Sequence, residues 1–316
     1  MIVHHIDPVI GEAGGVYLWW YGLSYTLGFL EIFLWFRSQR HRLGFSLAEV
    51  YDISLLLASC VVIGGRAVEV IFYEWPYYSR HPSQIPWIWL GGMSTHGLLL
   101  GGAIGTAIFC RVHRRPFLTI ADELVIPGAF LMGTGRIGNF IDGQIVGSIT
   151  SLPWGVKFPD AEGFRHPVVL YDAIKNLLLV PALIAIRKRN PRPGVVLANF
   201  IFWYAFLRIF VDVFREYPTR LFGIATGQSL NLFMSALGLA LWALTRSRSA
   251  GPPSPRERGE GRGEGRLWPR RIAFATILAI CMTMPSDWTQ DIPKRYGKRH
   301  PGLHYSKIYP PVSGSE

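Results

Sequence analysis

Val195-Val196-Leu197-Ala198-Asn199-Phe200-Ile201-Phe202-Trp203-Tyr204-Ala205-Phe206-Leu207-Arg208-Ile209-Phe210-Val211-Asp212-Val213-Phe214 is a run of twenty residues with two charges. A helix needs about 20 mainly apolar residues to cross the hydrocarbon core of a bilayer, and this run has that length and character. Arg208 and Asp212 are four residues apart, with Tyr204 one turn earlier, so all three share one helix face. Ionisable groups at membrane depth are costly and face a partner or a cavity. The stretch therefore reads as a membrane span with a working polar face.

The whole chain has the same character. Of its 316 residues, 50% are hydrophobic and 14% aromatic, whereas only 17% are charged, against about a quarter in soluble domains. The mean hydropathy is +0.25. This excludes disordered, collagen-like and disulfide-scaffold classes. Cys60, Cys110 and Cys281 are too few and too scattered for a disulfide framework or a zinc site, and Cys60 and Cys110 read as core residues.

Seven stretches have span character, at roughly 16–36, 50–73, 87–110, 117–135, 167–186, 195–214 and 228–245. The loops after the odd-numbered spans carry twelve Lys and Arg and the opposite loops six. The positive-inside rule then predicts an all-α polytopic protein of seven transmembrane helices, with the N-terminus periplasmic and a small periplasmic head segment. The same bias accounts for the formal charge of +11, so no nucleic-acid partner is expected. The first apolar run has neither a basic leader nor a small-residue cleavage site, and reads as a span.

Three parts are expected along the chain: a seven-span body over 1–248, a flexible basic Pro/Gly-rich linker over 249–271, and a short hydrophobic segment with a polar tail over 272–316. The apolar run Ile272–Met284 is short for a span and reads as a marginal eighth segment or an interfacial helix. It contains Leu278-Ala279-Ile280-Cys281, similar to a lipoprotein processing box except that the residue before the cysteine is not small.

Further polar residues lie in apolar runs. His96 is expected in the middle of the third span, within Gly91-Gly92-Met93-Ser94-Thr95-His96-Gly97. Arg136 and Asn139 end the fourth span, and Arg66 with Glu69 forms an expected structural pair in the second. No carboxylate stands at helical spacing from Arg136, so that guanidinium reads as uncompensated and suited to a phosphate, which its planar fork of donors matches. One titratable base, two phosphate-capable cations and several aromatic hydroxyls fit chemistry on a phospholipid headgroup.

Gly135-Arg136-Ile137-Gly138-Asn139-Phe140-Ile141-Asp142-Gly143-Gln144 resembles the signature of the bacterial prolipoprotein diacylglyceryl transferase family. Asp7-Pro8-Val9-Ile10, Trp20-Tyr21-Gly22-Leu23, Gly64-Gly65-Arg66, the segment around His96, Arg165-His166-Pro167 with Leu170-Tyr171, Arg208 through Arg215, and Gly227-Gln228-Ser229 are similar to further motifs of that family, in its order. The resemblance covers about residues 5 to 248. It implies a multi-pass protein of the bacterial inner membrane that moves the diacylglyceryl group of phosphatidylglycerol onto the lipobox cysteine of preprolipoprotein signal peptides, releasing glycerol phosphate. By the same resemblance His96 is the candidate base, and Arg136 and Arg208 hold the phosphate. Tyr21, Asn139, Gly147, Tyr204, Asp212 and Gln144 match substrate-binding or supporting positions. No metal or cofactor is implied.

The chain departs from the family pattern at Gln144 and Asp142, where Glu and Asn are usual, and at Leu98, Ser148, Val168-Val169 and Asp172. Gln144 can hydrogen bond but cannot take a proton or pair as an anion. These departures surround the site, so two alternatives stay open at this level: a divergent paralogue using another lipid or acceptor, and a membrane protein that binds or transports lipid without chemistry. The second predicts that His96 is replaceable by Asn or Gln without loss of function.

Overall fold

A computed structural model describes residues 2–215, 220–221, 224–247, 267–286 and 291–312. Most of the expected linker, 249–266, lies outside the described residues. The chain opens with β1 (Ile2–Val3), β2 (Val9–Ala13) and β3 (Val16–Trp19), the last two forming an antiparallel hairpin through Gly14 and Gly15. Helices α1 (Trp20–Leu43) and α2 (Leu47–Val68) follow, with a π-helical turn at Glu69–Tyr73 extending α2 and a short α3 (Trp75–Tyr78) after it. Next come α4 (Thr95–Val112), α5 (Phe117–Ile141), β4 (Val156–Lys157), α6 (Val168–Lys188) and α7 (Val195–Asp212). The strands β5 (Arg220–Leu221) and β6 (Ile224–Ala225) lead into α8 (Thr226–Ser247), and α9 (Leu267–Cys281) and α10 (Ile292–Tyr296) complete the order.

Among the described residues, six helices are long and apolar enough to cross a membrane: α2 with its π turn, α4, α5, α6, α7 and most of α8. This is a polytopic helical membrane protein. The first expected span, α1, is 24 residues long but carries Glu31 and a run of hydroxyl and aromatic residues that lower its hydropathy. Each of the six lies within six residues of an expected span at both ends, except at the third expected span. There the helix begins at Thr95 rather than 87, so His96 stands in its first turn and not in the middle. The apolar residues before it, Trp87 to Leu90, belong to the head: Leu90 is fully buried, Trp87 stacks on Trp89, and Gly91 and Gly92 turn the chain at φ 86° and 84° before Ser94 caps α4.

Arg66 builds that head loop. Its guanidinium donates to the carbonyls of Ile85 (2.8 Å), Gln84 (3.2 Å), Trp87 (3.3 Å) and Gly91 and to the Tyr78 hydroxyl (2.8 Å). The expected pairing with Glu69 is therefore corrected, because these carbonyls meet the guanidinium's donors. The basic loops gather at the opposite face, where Glu123 receives Arg187 and Arg42, Glu49 receives Arg115, and Asp122 accepts the amides of Gly194 and Leu197 at the start of α7.

Helices α2 and α4 cross backbone to backbone at Gly64, Gly97 and Gly101. A Cβ on Gly101 would overlap the Cys60 carbonyl, whereas one on the adjacent Gly102 would lie 3.8 Å from Val61. Gly101→Ala is expected to cost about 2 kcal/mol by forcing backbone apart, and Gly102→Ala to be nearly neutral. Thermal unfolding of the two variants in detergent micelles compares them directly.

The last segment returns along the bundle. Arg270 at the start of α9 binds Asp52 near the start of α2 (2.7 Å), Phe274 packs on Phe33 and Tyr51, and the Leu278 carbonyl accepts from Thr26 (2.9 Å). Cys281, fully buried, meets Gly22 in the first turn of α1. Helix α9 thus lies alongside α1 and α2 and carries the tail to the head face. There Tyr296, Leu303 and Tyr309 close over Trp19 and Tyr17. Burial pushes the Tyr309 hydroxyl up to about 12, and that hydroxyl accepts the Tyr17 amide at 3.0 Å.

Candidate active site

Three helices converge just below the head. The last turns of α5 bring Arg136 and Asn139 onto one face, since they are three residues apart. On α6, Asp172 and Lys175 have the same spacing, and α7 supplies Tyr204, Arg208 and Asp212. Asp172 is the centre. Its Oδ2 accepts from Arg136 Nε at 2.7 Å and from Arg208, and its Oδ1 lies 3.0 Å from Lys175 Nζ. Asp212 takes Arg208 Nε at 2.9 Å on one oxygen and Asn231 Nδ2 at 2.7 Å on the other. Lys175 rests on the Tyr204 ring, 3.8 Å from its centroid, and reaches the Tyr204 carbonyl at 3.3 Å.

The expectation of an uncompensated Arg136 is thereby corrected: its carboxylate comes from another helix. Spacing along a single helix cannot disclose a partner on the next span. Asp172 figured in the sequence only as a departure, and Lys175 not at all. Their signal was two charges at helical spacing inside an otherwise apolar run. These five groups carry three positive and two negative charges, a cation-rich centre suited to an anion.

An apolar cavity of about 350 Å³ opens onto this cluster. It extends along α5 from Phe117 to Asn139, about 30 Å of helix. Leu57, Leu98, Leu124 and Phe200 line its length, and Tyr21, Arg136 and Asn139 stand at its polar end. Arg136 thus belongs both to the ion cluster and to the cavity wall. Asn139 Oδ1 accepts from Arg136 Nη1 at 3.2 Å, and the Tyr21 and Tyr25 hydroxyls are 3.0 Å apart.

The other expected site residues are arranged around this centre. Gln144 follows the end of α5 in a turn, its amide donating to the Asn139 carbonyl at 2.9 Å. Gly147 passes so close to His166 that a Cβ would lie 2.6 Å from the His166 carbonyl, and its amide donates to that oxygen at 3.0 Å. Burial lowers the His166 pKa, which keeps its ring neutral at pH 7. His96 is not brought into the cluster. It is exposed, with neighbours Thr95 and Leu98 lining the cavity.

The fold and site define a class: a multi-helix membrane protein with a cation-rich centre at the polar end of a long apolar cavity. Residues 8–244 match the model of the prolipoprotein diacylglyceryl transferase family. The chain is similar to the phosphatidylglycerol–prolipoprotein diacylglyceryl transferase of Geobacter sulfurreducens, with 38% identity over 256 residues, covering 78% of this chain and 98% of that protein. Its similarity to the Nitrosomonas europaea transferase of the same name is 39% over 274 residues, covering 82% and 99%, and to that of Rhizobium meliloti 38% over 266 residues, covering 78% and 93%. The chain belongs to the prolipoprotein diacylglyceryl transferase family.

Proposed function

We propose that this chain transfers the diacylglyceryl group of phosphatidylglycerol to the lipobox cysteine of a preprolipoprotein, in the inner membrane of a bacterium. The observation that carries this reading is the double place of Arg136. A lipid whose acyl chains enter the cavity presents its phosphate to Arg136, and through the Asp172 bridge to Arg208 and Lys175.

In the reaction the cysteine sulfur attacks the glyceryl carbon that bears the phosphate. A carbon–sulfur bond forms, the carbon–oxygen bond to phosphorus breaks, and its electron pair stays on the phosphate oxygen. The departing glycerol phosphate gains negative charge, which the guanidinium donors stabilise. No metal or cofactor is needed for this displacement. His96 takes the thiol proton, from its place beside the cavity-lining Thr95 and Leu98. Tyr21, Asn139, Gly147 and Gln144 shape the headgroup end, and Tyr204 and Asp212 hold Lys175 and Arg208 in place.

The topology that goes with this chemistry is seven spans in the body with the N-terminus periplasmic. The 24 residues of α1, about 36 Å of helix, suffice for the first, and the gathering of the basic loops on one face supports the orientation.

The test is purified protein in phosphatidylglycerol micelles with a lipobox peptide, followed by mass spectrometry for a diacylglyceryl thioether. Product supports the reading; its absence beside an active relative sinks it. In that assay His96→Gln is expected to lower the rate by roughly a hundredfold. An undiminished rate would remove the histidine from proton transfer.

A further inference from the structure

The family match ends at residue 244, yet the chain beyond it is packed onto the site. The signature loop, from Ile141 to Gln144, continues directly from the helix end that carries Arg136 and Asn139. Four contacts from the tail fall on these few residues. Arg299 Nη2 donates to the Asp142 carbonyl at 2.8 Å and its Nη1 to the Ile141 carbonyl at 3.3 Å. The Ser286 amide donates to Asp142 Oδ2 at 3.0 Å, and Arg295 Nη2 reaches Gln144 Oε1 at 3.3 Å. The carbonyls at the C-terminal end of a helix need donors from elsewhere, and cations there also suit the helix dipole. Here the tail supplies both.

The tail is itself firmly placed. Tyr296 and Tyr309 are 0% and 1% exposed, His300 pairs with Asp7 at 2.8 Å, and the Trp19 amide donates to the Met282 carbonyl at 2.9 Å. Its grip on the loop is transmitted by the bond from the Gln144 amide to the Asn139 carbonyl, and by the bond that Arg136 Nη1 donates to Asn139 Oδ1.

We propose that the C-terminal residues 267–286 and 291–312 are a built-in part of the transferase site, in which Arg299 and Arg295 are positioning residues that fix the signature loop and, through Asn139, the phosphate-binding Arg136. The proposal rests on the transferase reading for its effect on rate, but not for its effect on the loop. Two readouts keep them separate. Hydrogen exchange is followed at the amides of 141–147 in the full chain, and transfer from phosphatidylglycerol to a lipobox peptide is measured alongside.

Arg299→Ala, and Arg295→Ala to a smaller extent, are expected to speed exchange in 141–147 while leaving α6 and α7 protected. Arg299→Ala is expected to lower kcat about tenfold with the KM for phosphatidylglycerol little changed, and Arg299→Lys to recover part of both losses. Unchanged loop exchange in Arg299→Ala would overturn the proposal whether or not the chain is active. Unchanged or raised kcat in a folded variant would overturn it too, the raised rate marking the tail as a brake. Absence of transfer by the unsubstituted chain would count against the function alone, and the exchange result would still decide the role of the tail.

Discussion

Asp172→Ala is expected to be the most destabilising single substitution at the site. It removes the carboxylate on which Arg136, Arg208 and Lys175 converge and leaves the three cations facing one another in a site where Asp172 itself is 1% exposed. Breaking a buried ion pair by deleting one partner costs about 3–5 kcal/mol, because the remaining charge is stranded in low dielectric. Here more than one charge is stranded. Thermal unfolding in detergent should show a large fall in midpoint. Asp172→Asn, which keeps the shape, should lie between wild type and alanine, since an amide accepts one of these bonds but supplies no charge. An Asp172→Ala variant as stable as the parent would mean that the cluster contributes little to the fold. Phosphatidylglycerol should protect the wild type more than either variant, because the ligand binds only the assembled site.

Arg136→Ala and Arg208→Ala are expected to abolish detectable transfer, each lowering the rate by about a thousandfold or more. The two should differ in how they fail. Arg136 stands on the cavity wall in the last turns of α5, so its loss removes the donors nearest the lipid and should raise KM as well as lower kcat. Arg208 lies behind it, held by both Asp172 and Asp212, so its loss should also lower stability by leaving Asp212 with only Asn231. Lysine at either position restores charge but not the planar fork, and partial rescue would show how much of the effect is charge alone. Transfer that persists in both alanine variants would place the phosphate elsewhere.

Much of this architecture can be read directly along the chain. Apolar runs of span length locate the main helices, because hydrocarbon enforces the same rule on each one. The face shared by Tyr204, Arg208 and Asp212 follows from helical geometry and is realised as the 2.9 Å ion pair of Arg208 with Asp212. The loop at 87–94 is less legible, because its tryptophans have the hydropathy of a span yet are packed in the head. Only the glycines at 91 and 92, turning at positive φ, betray the break. Partnerships between distant helices are hidden for a simpler reason. Asp172 is 36 residues from both Arg136 and Arg208, and no local periodicity connects such positions. The tail was the least legible part, since its role is set by what it touches rather than by its composition.

The course of α9 has a consequence for how the molecule is made. Tyr17 is covered by Tyr309, 292 residues further along the chain, and Trp19 by Tyr296. Synthesis proceeds at about 5–20 residues per second, so the hairpin waits many seconds for its cover. The helices α1 to α8 can pack one by one as they are made, but the wall beside Asp142 and Gln144 is finished only when Ser286, Arg295 and Arg299 dock on it. During synthesis the chain therefore passes through a form whose helices are paired while the loop at 141–144 is still open, and closing that loop is a separate, later docking step.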